Sequence, residues 1–376
     1  MNVLVTGGAG FIGTHLVRGL MAEHQVTVLD NFSPQIHGTV EMLAEDVRNS
    51  VRLVQGDVRD GAVWAKLLPG QQAIVHLAAE TGTGQSMYAV SQYEQVNLAG
   101  TALLCEELVK GHGYGVERLI VASSRALYGE GAYSCSSHGT VYPASRSTAE
   151  KKQGLFDPVC PRCGQAVTAI PTSESAPAQP SSFYGLTKQV QEQMTLMFGQ
   201  VLGIPALALR YQNVFGPGQS LENPYTGILA IFSNLAKEGR GISVFEDAKE
   251  SRDFVYVEDV VAATRVALTA PLQGSHAVNV GSGIRTTVLE VAREIAAFYG
   301  SGSEIRVTGA FRDGDIRHGC ADLTRAAALL GYEPRWSFRD GLHEFLRWAQ
   351  ERASASGQAK YEASLKEMRD QGLLHG

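Results

Sequence analysis

Tyr184 and Lys188 stand four residues apart, so on a helix they share one face. A phenol titrating near its usual ~10 is a poor base at neutral pH, and a neighbouring ammonium favours the phenolate. Ser124 ends the apolar run Arg118-Leu119-Ile120-Val121-Ala122-Ser123-Ser124, so its hydroxyl sits at the carboxyl end of a strand, in position to hydrogen-bond the same substrate oxygen. Ser124, Tyr184 and Lys188 together make a proton-transfer device suited to a secondary alcohol and its ketone.

A second chemical cluster lies between Ser124 and Tyr184. Cys135-x-x-His138 precedes Cys160-x-x-Cys163, with twenty-one residues between the pairs. Two chelating pairs joined by a loop fit one tetrahedral zinc ion of Cys₃His type, with no open position and therefore a structural role. The surrounding stretch, 131–170, has too little apolar periodicity to fold by burial alone, a deficit that a metal makes good. Because both ends of this insertion are tethered near the trio, it is expected to form a lid or wall of the substrate pocket. Cys105 and Cys320 stand apart and read as buried apolar residues.

Positioning these groups requires a sheet. The chain opens with the apolar strand Asn2-Val3-Leu4-Val5-Thr6, runs into Gly7-Gly8-Ala9-Gly10-Phe11-Ile12-Gly13, and continues as a helical pattern to Leu20. Glycines at this spacing permit a tight turn, backbone approach to a pyrophosphate and close helix–strand packing, and the helix N-terminus offers free N–H groups to phosphate. A second strand, 25–29, ends at Asp30, seventeen residues after Gly13. A carboxylate there accepts from the adenosine ribose hydroxyls and repels an added phosphate, which points to NAD rather than NADP. Further strand patterns at 51–57, 73–79, 118–124, 205–210 and 277–281 alternate with helical ones at about 91–110 and 182–202, arguing βαβ units around a parallel sheet.

The expected fold class is therefore α/β: a Rossmann doubly wound parallel sheet, a smaller C-terminal substrate-binding lobe and a Cys/His insertion. The dinucleotide domain is read as 1–210, with 131–170 inserted and 254–282 returning to the sheet. The lobe is read as 211–253 with 283–352, and 353–376 as a charged, weakly helical C-terminal tail, either a surface helix or a frayed end. With 376 residues there is room for such a lobe, while a net charge of −6 gives no reason to expect nucleic acid or an anionic membrane as partner. No apolar run approaches the ~20 residues of a membrane span. Five cysteines suit a reducing cytoplasm better than a disulfide scaffold.

The motifs TGGAGFIG at 6–13, LDNF at 29–32, GDV at 56–58, HLAA at 76–79, NLAGT at 97–101, SSRALYGEG at 123–131, YGLTK at 184–188, LRYQNVFGP at 209–217 and SRDFVYVEDV at 251–260 form an ordered set covering most of residues 1–350. The set resembles the extended short-chain dehydrogenase/reductase family, in its branch of nucleotide-sugar epimerases and dehydratases. The resemblance implies that Ser124, Tyr184 and Lys188 are the catalytic trio. It implies that Gly7, Gly10, Phe11, Ile12, Gly13, Asp30, Asn31, Asp57, Val58, Leu77, Ala78, Ala79 and Asn97 bind NAD, with Tyr184 and Lys188. Ser124 and Asn213 become substrate contacts, and Arg252 and Arg317 the arginines that hold the nucleotide diphosphate. His76, Glu174 and His318 are candidates to line the pocket, although such positions are more often structural.

Departures from the family narrow the reaction. Sugar 4,6-dehydratases carry Thr-Asp-Glu where this chain has Ser124-Arg125-Ala126, and decarboxylases of the family tend to carry Glu beside the catalytic hydroxyl. With neither carboxyl present, what remains is oxidation and re-reduction at one carbon, which is epimerisation; a 4-ketosugar reductase using the same trio is the alternative. The insertion, NPYTG at 223–227, FEDAKESRDF at 245–254 and GDIRHGCADL at 314–323 resemble the dTDP-L-rhamnose 4-epimerases and their near relatives among deoxysugar enzymes. That likeness implies a nucleoside-diphosphate 6-deoxyhexose as substrate, and the family likeness implies a homodimer paired through the helices near 91–110 and 184–202.

Overall fold

The structure is a computed structural model that describes residues 1–37, 43–223, 225, 227–352 and 357–376. Pro224 and Thr226 of the NPYTG segment, and 353–356 at the start of the C-terminal segment, lie outside the described residues.

Seven strands build one sheet: β1 (Asn2–Thr6), β2 (Gln25–Asp30), β3 (Arg52–Gln55), β4 (Ala73–His76), β5 (Arg118–Ser124), β6 (Ala206–Tyr211) and β7 (Ser275–Val280). Their order is β7-β6-β5-β4-β1-β2-β3, and every pairing is parallel. The doubly wound Rossmann arrangement follows from the chain stepping outward from β1 to β3 and returning on the other side of β1. The order therefore reverses between β1 and β4, where a crevice opens at the carboxyl ends of the strands. β5 and β6 are buried along their whole length, consistent with apolar runs covered on both faces. Alternation splits β1, sending Val3 and Val5 into the core on one face and Leu4 into the core on the other.

Two helices position the chemistry. α1 (Phe11–Leu20) starts at Gly10, which offers no side-chain cap, and buries Leu16, Val17 and Leu20 on the sheet. Gly13 is required by packing: a Cβ there would lie 2.1 Å from the Gly7 carbonyl oxygen. α2 (Phe183–Leu202) is started by the Ser182 hydroxyl, which accepts from the Gly185 N–H at 3.2 Å, and is ended by Gly203 in the left-handed region. Its Gly185 leaves no space for a side chain, since a Cβ would lie 2.4 Å from the Ala126 carbonyl oxygen. That approach presses the first turn of α2 onto the 3₁₀ turn Arg125–Tyr128 that follows β5. The helix read at about 91–110 contains a π-helical turn, Glu94–Ala99, between two α-helical stretches.

The lobe gathers around Asn213–Phe215, Ser251–Tyr256 and Arg285–Thr287, a three-stranded sheet of its own. Within 254–282, the segment expected to return to the main sheet, the part that joins it is β7. Ser251–Tyr256 is taken up between lobe strands on both edges, and only β7 rejoins the large sheet. The C-terminal segment is not a loose tail. Helix Gly357–Asp370 is pinned by Glu367, which accepts from the Tyr88 and Tyr225 hydroxyls at 3.1 and 3.0 Å, and Leu374–His375 pairs antiparallel with Phe311–Arg312. The insertion folds as a small antiparallel sheet of Tyr133–Cys135, Gly139–Val141 and Thr168–Ala169, with Tyr133, Cys135, Val141 and Cys160 as its core. No helix among the described residues is long and apolar enough to cross a membrane.

Candidate active site

A cleft of about 1170 Å³ runs from the β1–α1 turn, across the carboxyl ends of the strands, into the lobe. At one end Gly7, Gly10, Phe11, Ile12 and Gly13 line it together with Asp30 and Asn31. Val58, Leu77, Ala78 and Ala79 form the floor. A Cβ on Gly10 would meet only the Gly7 carbonyl oxygen, at 3.3 Å, so the bare backbone leaves an open cradle over the uncapped start of α1. Asp30 is held in place by the Ala9 and Phe32 N–H groups, each at 2.9 Å, and His37 Nε2 lies 3.4 Å from its Oδ1. An uncapped helix start, a cradle without side chains and an oriented carboxylate fit a dinucleotide with a free adenosine ribose.

Ser124, Tyr184, Lys188, Asn213 and Arg252 line the middle of the same cleft. Ser124 Oγ accepts from the Ala126 N–H at 3.2 Å and lines the same cleft as Tyr184. Burial pushes the Tyr184 phenol above its ordinary value, against the opposing effects of the Ser124 hydroxyl and the Arg125 charge. Lys188 is drawn down to about 7 by burial and donates to the Ala122 carbonyl and to Gln191 Oε1, at 2.9 and 2.8 Å. The lysine is thus anchored in the wall of the cleft.

Three sequence expectations are corrected. Arg317 is fully buried, does not reach the cleft and is held by Asp157, Glu246 and Asp247. Five residues earlier, Arg312 does line the cleft, with its Nε on Asp315 at 2.9 Å and its guanidinium over the Phe245 ring. Beside it, Arg252 is aimed by the Ser251, Ile316 and Arg317 carbonyls. Asn97 is also fully buried, its amide spent on the Glu80 backbone and Thr187, so it braces the wall without facing the cleft. The Asp57 carboxylate is occupied by Arg59 and Asn31, which hold it at about 2, and its neighbours Gly56 and Val58 reach the cleft while Asp57 does not line it.

The insertion lines none of the cleft. It braces the lobe from behind: Arg146 donates to Glu130, to both Glu246 oxygens and to the Asp315 carbonyl, all at 2.8–2.9 Å. The ligand atoms of Cys135, His138, Cys160 and Cys163 all lie within 4.8 Å of one another. His76, Glu174 and His318 are structural: they bond Thr6 and Thr101, the Asn279 N–H, and Ser251, respectively, and none lines the cleft. Arg125, Arg312 and Asp315 are among the cleft residues to which the sequence assigned no role. Their only signal was position, directly after Ser124 or within the RDGD run at 312–315.

The sequence profile of the NAD dependent epimerase/dehydratase family matches residues 3–152 and 159–281. The chain belongs to this family. It is 42% identical over 356 residues to the dTDP-L-rhamnose 4-epimerase of Burkholderia thailandensis, covering 93% of this chain and 95% of that protein. Among solved structures, the UDP-glucose 4-epimerase of Thermotoga maritima with UDP-glucose superposes with a TM-score of 0.76 at 28% identity, covering 93% of this chain and 99% of that one. The UDP-glucose 4-epimerase of Thermus thermophilus in complex with NAD gives 0.72 at 27% identity, covering 94% and 100%.

Proposed function

We propose that this member of the family is an NAD-dependent nucleotide-sugar 4-epimerase acting on a nucleoside-diphosphate 6-deoxyhexose such as dTDP-L-rhamnose. The observation that carries the reading is that Ser124, Tyr184 and Lys188 line one cleft with the glycine turn, with no carboxyl at positions 125 and 126. Gly7, Gly10 and Gly13 with Asp30 hold the dinucleotide, and Val58, Leu77, Ala78 and Ala79 pack along it. When bound, NAD supplies a hydride acceptor that becomes the donor, so C4 is oxidised and reduced with no net consumption. Tyr184 Oη removes the O4 proton and later returns it, while the Ser124 hydroxyl hydrogen-bonds the same oxygen. Arg252 and Arg312 bind the diphosphate as planar donors. Anchored there, the 4-keto sugar can turn over and present its other face. Without an acid at 125 or 126, elimination of a C6 hydroxyl has no catalyst.

The insertion is read as a structural zinc site. In a tetrahedron with Zn–S near ~2.3 Å, ligand atoms are separated by roughly 3.8 Å. Cys135 Sγ lies 3.8 Å from Cys163 Sγ and 3.6 Å from His138 Nδ1, and Cys160 Sγ is 3.5 Å from the same nitrogen. Four protein ligands leave no open position for catalysis, and free thiolates require a reducing compartment, which supports a cytoplasmic protein. Homodimerisation is supported by exposed apolar side chains on the two helical stretches singled out: Val90 and Val109 on one, and Leu186, Met197 and Val201 on α2.

The test is to incubate the purified protein, with no added cofactor, with dTDP-, UDP- and GDP-linked 6-deoxyhexoses and follow C4 configuration by NMR. Epimerisation without added reductant is expected, and Tyr184→Phe should slow it by roughly 10²–10⁴-fold. A strict need for stoichiometric NADH would replace epimerisation with ketoreduction.

A further inference from the structure

We propose that Asp313 is the positioning residue for Arg312: clamped by Lys151 of the insertion and by His375 of the C-terminal segment, it fixes the backbone from which the Arg312 guanidinium reaches the diphosphate. This rests on the reading of Arg312 as a diphosphate ligand and deepens it. Phe311 and Arg312 line the cleft, whereas Asp313, Lys151 and His375 do not.

The local chain cannot aim Arg312 by itself. Phe311–Arg312 is a strand of only two residues, and the backbone turns at Gly314 with a φ of +83°. Glycine leaves many conformations open to the free chain, so tertiary contacts must select one. On one side, Ser147 and Glu150 form a capping box that starts the helix Thr148–Lys152. This helix turns Lys151 inward, its side chain only 2% exposed. Lys151 Nζ donates to the Arg312 carbonyl and to Asp313 Oδ1, each at 3.0 Å, and lies 4.7 Å from the centre of the Phe311 ring. Thr148 Oγ1 donates to the same Oδ1 at 3.0 Å. On the other side, Leu374–His375 pairs antiparallel with Phe311–Arg312, and the Asp313 N–H donates to the Leu373 carbonyl at 2.9 Å. The His375 ring stacks on Phe311 with centroids 4.9 Å apart, and its Nε2 donates to Asp313 Oδ2 at 2.9 Å. Beyond Asp313, the Gly314 carbonyl accepts from Ser181 Oγ at 2.7 Å, next to the Ser182 cap of α2.

Both oxygens of one carboxylate thus join two remote segments of the chain, one residue away from the arginine. A guanidinium binds phosphate oxygens directionally, as a planar fork, so the setting of its backbone matters more than it would for a lysine. The arrangement also gives the insertion, which lines none of the cleft, a route to the substrate.

The experiment is calorimetric titration of the full-length protein with dTDP, comparing wild type, Arg312→Met, Asp313→Ala, Lys151→Met and His375→Ala, with bound NAD and thermal unfolding recorded for each. The sign of the Asp313→Ala effect is diagnostic. Removing an acid near a phosphate site would tighten dTDP by charge alone, whereas lost positioning weakens it. A loss of roughly two- to tenfold is expected, no greater than that of Arg312→Met, with Lys151→Met and His375→Ala changing in the same direction. In an Arg312→Met background the same substitutions should change dTDP affinity by less than about twofold, because no guanidinium is left to aim. With an accepted sugar nucleotide, KM should rise more than kcat falls. Wild-type or tighter dTDP binding by folded Asp313→Ala, or equal losses in both backgrounds, overturns the proposal. An unchanged affinity in Arg312→Met defeats the diphosphate reading and the positioning role with it, while a weakened Arg312→Met beside an unchanged Asp313→Ala defeats the positioning role alone. Asp313→Ala leaves Lys151 buried without its counter-charge; if that variant fails to fold, His375→Ala decides. Its dTDP affinity falling by at least about twofold in the wild-type background only supports the clamp, and wild-type affinity overturns it.

Discussion

Arg317 grips Asp247 through two hydrogen bonds, Nη1 to Oδ1 at 2.6 Å and Nη2 to Oδ2 at 2.9 Å, while Nη1 also reaches Glu246 at 3.0 Å. The guanidinium is fully buried, so its work is to neutralise acids inside the lobe and not to meet a ligand. Arg317→Met would remove one of the two guanidinium partners of buried Glu246, which keeps Arg146, so the loss should not exceed the low end of the ~3–5 kcal/mol typical of breaking a buried pair. Because Asp247 and Asp157 are partly exposed, the lower end of that range is expected, about 3 kcal/mol in urea unfolding, with dTDP affinity nearly unchanged. Arg312→Met should do the reverse, weakening dTDP at least roughly tenfold with under about 1 kcal/mol of destabilisation. Calorimetric titration of both variants separates the roles, and strong dTDP loss in folded Arg317→Met would restore the diphosphate assignment.

Gly10 and Gly13 should respond differently to the same added methyl group. A Cβ on Gly13 would collide with the Gly7 carbonyl at 2.1 Å, so Gly13→Ala is expected to disrupt the β1–α1 packing and yield little folded protein. On Gly10 the nearest heavy atom is 3.3 Å away, and the backbone already has a φ of −70° that alanine adopts. Gly10→Ala should therefore keep its melting temperature while filling the cradle and losing bound NAD. Equal NAD content in wild type and Gly10→Ala, measured after protein precipitation, would remove the dinucleotide from that turn.

The zinc reading predicts about one metal ion per chain by elemental analysis, lost in Cys163→Ser. Chelation should leave the insertion without a sufficient core, because only Tyr133, Cys135, Val141 and Cys160 are buried together there. Limited proteolysis is then expected to cut within 131–170 first. Since Arg146 ties this unit to Glu246 and to the Asp315 carbonyl, the KM for the sugar nucleotide should rise more than kcat falls. A chelated protein equally resistant to protease would sink the structural-metal assignment.

The Rossmann half was readable because its signals are local. Glycine spacing, Asp30 at a strand end and apolar runs such as Leu119-Ile120-Val121 each report on their own neighbourhood. The Tyr184/Lys188 spacing was equally plain, yet the sequence carries no sign that Lys188 donates to Ala122 and not toward the phenol. The lobe was harder. In FRDGDIRHG two arginines lie five residues apart, and which one faces the cleft depends on whether Glu246 and Asp247, some seventy residues away in sequence, fold back onto Arg317. Residues 353–376 read as a tail because their apolar positions are few. What fixes them is polar and remote: Tyr88 and Tyr225 on Glu367, and Arg312 pairing with Leu374.

Glu250 provides a pH test of the lobe. Its side chain borders the cleft, is 7% exposed, and its Oε2 has no hydrogen-bond partner among the described residues. Burial raises the carboxyl from 4.5 to about 7, against the opposing pull of its own backbone N–H and Arg252. Between those two values the folded protein holds a proton that the unfolded chain has released, so folding is favoured by low pH there. The contribution is fully present below about pH 4.5, shrinks as pH rises through the interval, and is gone above about pH 7. Glu250→Gln, which has no proton to lose, should lack this dependence. Relative to that variant, the ligand-free wild type is expected to lose about 2–3 kcal/mol between pH 5 and pH 8. Urea unfolding of both proteins at the two pH values measures the difference directly. A constant gap would mean that Glu250 is already ionised at pH 5, with a partner for Oε2 in solution. A gap that widens on acidification would mean that the carboxylate, not the acid, is the form the fold prefers.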